Sequence, residues 1–151
     1  MFANEEVSSY PERDGQQLEW MAKRSRLTMR NSIMVIDDDE EFVEELNDLL
    51  NLSGYETVTV RDPLKAVDIV SREKPDAILL DLKMPGKGGF EVAYEICHLP
   101  ELARIPVVVM TGYFNSQNNP LVELCQIKKC LKKPFQPLEV IWALEEVLAK
   151  K

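Results

Sequence analysis

Histidine and cysteine are nearly missing from this chain, which has one histidine (His98) and three cysteines (Cys97, Cys125, Cys130) in 151 residues. Three thiols cannot all pair, and no Cys-x-x-Cys occurs. A disulfide framework and a zinc site are therefore disfavoured, and the usage fits a reducing cytoplasm. A surplus of positive charge is also lacking: 18 Lys and Arg stand against 26 Asp and Glu, for a formal charge of −8. That argues against a nucleic-acid partner, because phosphate backbones demand a basic face. Long apolar runs are absent too. Stretches such as Pro106 to Met110 are far too short to span a bilayer, and residues 1–31 lack the apolar segment of a signal peptide, so no membrane insertion is expected. What remains is 45% hydrophobic and 29% charged, an ordinary globular composition in a length suited to about one domain. A chain this size buries roughly two thirds of its unfolded surface and needs no staple to fold.

Charge is distributed unevenly. Residues 1–31 carry five acids and five bases, so the whole −8 falls in residues 32–151. Leu18, Trp20, Met21 and Leu27 can mark one short helix. We read 1–31 as an N-terminal extension, partly disordered or one short helix, whose Trp20 face docks on the body or a partner; a plain leader fits equally well.

From Ser32 onward, apolar strand-like runs alternate with helical periods. Ile33 to Ile36 ends abruptly in Asp37, Asp38 and Asp39. Phe42, Val43, Leu46, Leu49 and Leu50 then recur on one helical face, with Asp39, Glu40 and Glu41 at the helix's positive end and Gly54 to stop it. Tyr55 to Val60 predicts a second strand. Asp62-Pro63 reads as an N-cap with Pro at N1, opening a helix through Val67 and Val70. Ala77 to Leu80 is a third strand ending in Asp81, and Leu82 to Gly89 is a Pro- and Gly-rich loop. Phe90, Ala93, Ile96 and Cys97 form the next stripe, and Pro106 to Met110 a fourth strand. Asn115 to Asn119 is a polar loop before a short helix begun by Pro120 and running through Leu121 and Leu124. Cys130 and Leu131 form a brief fifth strand, and Pro137 to Lys151 a last helix with Leu138, Ile141, Leu144 and Leu148 inward. All three cysteines are expected in the core. Five β-α units predict an α/β fold: a doubly wound parallel sheet with helices on both faces.

In such sheets ligands bind outside the carboxyl ends of the strands, where strand order reverses. Asp37 and Asp38 end strand one, Asp81 strand three, Thr111 strand four and Lys133 strand five, so five polar groups converge on one rim. Three carboxylates brought together repel by roughly 3 kcal/mol per pair at an effective dielectric of about 20. An all-oxygen set relieved by a divalent cation favours Mg2+. One carboxylate beside that metal can act as a nucleophile toward phosphorus. The Lys133 ammonium and Thr111 hydroxyl then serve the remaining phosphoryl oxygens.

The segments "IMVIDDDEEF", "ILLDLKMPGKGGFEV", "PVVVMTGY" and "KKPF", with 22 residues from Thr111 to Lys133, occur in order over about four fifths of the chain. Residues 32–151 thereby resemble the receiver domain of bacterial two-component response regulators. The resemblance implies a flavodoxin-like sheet of order 2-1-3-4-5. It makes Asp81 the phosphoacceptor and Asp37 and Asp38 metal-binding acids, joined by the backbone carbonyl of Lys83. Thr111 becomes the switch hydroxyl, Lys133 the phosphate-contacting lysine, and Lys133-Pro134 a cis peptide. The phosphoryl donor is a sensor histidine kinase or histidine phosphotransfer protein, and the output is binding to a downstream protein, with no output domain expected after Lys151. Self-catalysed phosphoacceptance and dephosphorylation, not enzymatic turnover, are implied, in the cytoplasm.

Several positions depart from the family pattern. Cys130 stands where Tyr or Phe is usual. Lys128, Lys129, Lys132 and Lys133 crowd the fifth strand. Tyr113 and Lys83 lie where the family flanks the water that hydrolyses the acyl phosphate, so a bulky Tyr113 is expected to slow that step. Two alternatives stay open. A receiver-fold scaffold can bind partners without phosphorylation. A haloacid-dehalogenase-like phosphohydrolase also uses Asp, Lys and Mg2+, but its first-strand motif needs Thr or Val where Glu41 stands, and the chain has no length for its cap domain.

Overall fold

The computed structural model describes residues 30–112 and 119–149. The expected leader helix around Trp20, Tyr113, most of the 115–119 loop and Lys150–Lys151 lie outside the described residues. Strands β1 (Ser32–Ile36), β2 (Glu56–Val60), β3 (Ala77–Asp81), β4 (Val107–Thr111) and β5 (Ile127–Lys132) form one sheet of order β2-β1-β3-β4-β5, and every neighbouring pair is parallel. The connections contain α1 (Glu40–Leu52), α2 (Ala66–Glu73), α3 (Gly89–Cys97) and α4 (Pro120–Leu124), and α5 (Pro137–Ala149) follows β5. The expected α/β architecture and strand order are those observed.

A period of two along the strands divides the core into two layers. Ile33, Val35, Ala77, Leu79, Val108 and Met110 pack with α1 and α5. Met34, Ile36, Ile78, Leu80, Val107 and Val109 pack with residues of α2 and α3, and with Cys125. Local chemistry sets the turns. Asp39 caps α1 by accepting the Phe42 N–H, and Gly54 follows the helix at φ 93°. The Asp62 carboxylate accepts the Leu64 N–H, but Pro63–Lys65 forms a 3-10 turn and α2 starts only at Ala66. Asn119 caps the five-residue α4.

Three further expectations need correction. β5 runs from Ile127 to Lys132 rather than over Cys130 and Leu131 alone. Its register against β4 jumps between Val107 and Val108, which pair with Ile127 and Lys129. Lys128 is thus an extra residue in the ladder, and the bulge shifts the inward alternation that would have marked the strand. Leu138 is 42% exposed, because Val140, Ile141, Ala143, Leu144 and Val147 are the residues α5 buries. Of the cysteines only Cys125 is buried; Cys97 and Cys130 are half-buried, near the helix end and the sheet edge. The four lysines do fall in or next to β5, where Lys129 pairs with Glu146 at 2.7 Å and Lys133 turns toward the rim.

Candidate functional site

The five rim residues named from the sequence lie at the carboxyl ends of β1, β3 and β4 and just beyond β5, and four of them, Asp37, Asp38, Asp81 and Lys133, come together there. Asp37 follows β1 and is 1% exposed, while Asp81 and Thr111, the last residues of β3 and β4, are 6% and 3% exposed. Asp38 is exposed. Backbone bonds fix these ends. The Asp37 N–H donates to the Val60 carbonyl at 3.0 Å, and the Lys133 N–H donates to the Thr111 carbonyl at 2.8 Å. The Lys133-Pro134 peptide is cis, as the resemblance implies.

Charge at the site is concentrated and only partly compensated. Carboxylate oxygens of Asp37, Asp38 and Asp81 lie within 4.8 Å of one another. The Lys133 ammonium donates to Asp37 Oδ2 at 2.8 Å and stands 3.7 Å from Asp81 Oδ1. Burial first, then the Asp37 charge, and more weakly that of Asp38, push the Asp81 carboxyl up to about 6; Lys133 and the Lys83 backbone N–H pull the other way. A carboxylate so placed gains strongly from a nearby cation. Three convergent carboxylates with one exposed member suit a hard divalent ion that keeps water ligands, the character of Mg2+. A metal-braced carboxylate beside a lysine can act as a nucleophile in group transfer.

Three residues complete the site without having been singled out for it. Phe42 was legible only as the first apolar position of α1, yet its ring lies 4.0 Å from the Lys133 ammonium and meets Phe135 edge-on, with centroids 5.9 Å apart. Asp39 donates its N–H to Asp37 Oδ1 at 3.0 Å. Gly89 is more than loop punctuation: a Cβ there would overlap the Asp81 carbonyl oxygen and lie 2.7 Å from Leu82 Cα. Its N–H donates to the Leu82 carbonyl at 3.1 Å, so α3 begins pressed against the backbone that carries Asp81.

Residues 33–145 match the response regulator receiver domain family. The chain is 36% identical over 120 residues to the polar-differentiation response regulator DivK of Brucella anthropi, covering 80% of this chain and 98% of that protein. DivK of Brucella ovis gives the same identity and coverage. Among solved structures, chemotaxis response regulator CheY4 of Vibrio cholerae aligns with a TM-score of 0.74 and 22% identity, covering 79% of this chain and 99% of that one. The receiver domain of a sensor histidine kinase from Pseudomonas aeruginosa, solved with a magnesium ion coordinated in its active-site cleft, aligns with a TM-score of 0.70 and 24% identity, covering 80% and 98%. At such identities the structural likeness carries the fold.

Proposed function

The chain belongs to the response regulator receiver domain family, and on that premise we propose that Asp81 is its phosphoacceptor. A receiver domain is a signalling switch rather than a conventional enzyme. The observation that carries the assignment is the meeting of Asp81 with Asp37 and Asp38 within 4.8 Å, and with the Lys133 ammonium at 3.7 Å. We assign Asp37, Asp38 and Asp81, with the Lys83 backbone carbonyl, as the residues that would hold Mg2+. The ion supplies charge neutralisation for the incoming phosphoryl group.

In the proposed step an Asp81 carboxylate oxygen attacks the phosphorus of a phosphohistidine. The P–O bond forms as the P–N bond breaks, and the imidazole leaves and takes a proton. Lys133 and the Thr111 hydroxyl contact phosphoryl oxygens as charge shifts, so positioning carries most of the catalysis. The donor is a histidine kinase or a histidine phosphotransfer protein, and the setting is the cytoplasm. No helix among the described residues is long and apolar enough to cross a membrane. Residues 32–151 form the receiver unit, with 1–31 as its extension.

The output we assign is a change in protein binding at the surface of α4, β5 and α5. Leu121, Leu124, Leu138 and Trp142 are exposed there. Moving such a switch from 1:99 to 99:1 needs roughly 5.5 kcal/mol of preference between the states. The test is incubation with a small acyl-phosphate donor and Mg2+, read by intact mass. One phosphoryl group on the parent and none on Asp81→Ala is expected. An unlabelled parent at saturating donor would return the chain to a binding scaffold.

A further inference from the structure

Lys133 has a partner beyond the two acids, and that contact belongs to a closed circuit. Its ammonium donates to Asp37 Oδ2, while Asp37 Oδ1 accepts the Asp39 N–H. The Asp39 carboxylate in turn accepts the Phe42 N–H at 3.2 Å, and the Phe42 ring lies 4.0 Å from the ammonium where the circuit started. Phe135, two residues beyond Lys133, braces the ring from the side. Both aromatics pack on the layer of core that α1 and α5 share. The capping acid that starts α1 therefore also aims an aromatic face at the lysine.

We propose that Phe42 is a positioning residue that keeps the Lys133 ammonium over the Asp81 carboxylate; the inference rests on the reading of Lys133 as the phosphate contact. Beyond one hydrogen bond to Asp37, the acids hold the ammonium by charge, on a stem with four flexible carbons and high rotamer entropy. Both acids also belong to the cluster that attracts a divalent cation, so their grip on Lys133 weakens when that cluster is engaged. An aromatic face attracts a cation through its quadrupole and does not compete for the metal. The Lys133 side chain is 23% exposed, so water offers the ammonium an alternative place to lie. The Phe42 ring face, 4.0 Å away, gives the ammonium a third contact inside the site.

The experiment compares the full-length parent, Phe42→Leu and Phe42→Trp for initial labelling rate with a small acyl-phosphate donor over a range of donor and Mg2+ concentrations. Leu keeps apolar bulk for the core but has no ring face, whereas Trp keeps the face. We expect Phe42→Leu to slow labelling at saturating donor by about 3- to 10-fold, and Phe42→Trp to stay within about 2-fold of the parent. Half-saturating donor and Mg2+ should not move. In a Lys133→Ala background Phe42→Leu should change nothing further. Equal rates for Leu and parent, equal slowing by Leu and Trp, or further slowing without the lysine would overturn the inference. A second readout does not depend on labelling or on the folding of any variant: proton NMR of the parent should show the Lys133 ε-methylene shifted upfield by the ring, and still shifted after Mg2+ is added. An unshifted signal sinks the proposal for Phe42. A parent that shows the shift but accepts no phosphate sinks the proposed function and leaves the contact standing.

Discussion

The acid rim and the α4–β5 edge are built to opposite standards. At the rim, Asp37 has a backbone donor, a lysine and a buried setting, and the end of β3 is gripped by α3 at a position with no room for a methyl group. At the edge, α4 is five residues long with no buried side chain, Leu124 is 53% exposed, and β5 carries an extra residue. The closed region holds its charged groups in place, whereas α4, although it lies beside a β5 paired along β4, has no buried side chain to lose and belongs to the low-stability end of the fold. A switch needs both.

Gly89→Ala attacks the tight region most directly. The new methyl group meets backbone rather than a yielding side chain, so we expect a loss of about 3 kcal/mol by urea unfolding, at the upper end of overpacking costs. Gly88→Ala should stay within about 0.5 kcal/mol, because its Cβ would lie 3.8 Å from the Leu82 carbonyl oxygen. Equal effects would erase the distinction between the two glycines.

Asp81→Asn probes the same region by charge. The folded carboxyl holds its proton up to about pH 6 against an ordinary 3.8, so in metal-free buffer the folded state binds more protons between those values. Stability therefore falls as pH rises from about 4 to about 6. The Asn variant, which never ionises, should be more stable than the parent by up to about 3 kcal/mol at pH 7 and nearly equal to it below pH 4. Denaturant midpoints across that range check the sign. A variant less stable than the parent at pH 7 would mean that Lys133 outweighs burial.

At the edge the effects should be small. Leu124→Ala removes a largely exposed side chain and is expected to cost under about 1 kcal/mol, with α4 amides exchanging well before those of β3. Lys129→Ala breaks the 2.7 Å pair with Glu146, whose partners are 38% and 46% exposed, so about 0.5 kcal/mol or less is expected. A loss of several kcal/mol in either would show that the edge is as firmly built as the rim.

The legible parts of the molecule were those governed by local rules. Apolar runs gave β1, β3 and β4 because both faces of these central strands are covered, and Asp62 reads as a cap because Pro63 follows it; Asp39 and Asn119, read as a first-turn acid and a loop residue, prove to cap α1 and α4. Strand ends could be matched to Asp37, Asp81, Thr111 and Lys133 because parallel topology brings them to one side. β5 was read short because its bulge breaks the alternation. Phe42 and Gly89 escaped notice because each matters through a residue far away in sequence: Lys133 above a ring, and the Asp81 carbonyl against a missing side chain. Burial was least legible in α5, where apolar residues outnumber the positions the sheet can cover and Leu138 and Trp142 are left outside.

The two-sided core has a geometric consequence for the chemistry. Asp81 shares its strand parity with Leu79, which packs toward α1 and α5, whereas Thr111 follows Val109, which packs toward the opposite helices. A phosphoryl group on Asp81 that also met the Thr111 hydroxyl would touch strand ends whose neighbouring residues are rooted in different layers of the core. One modification at the rim would then be felt on both sides of the sheet.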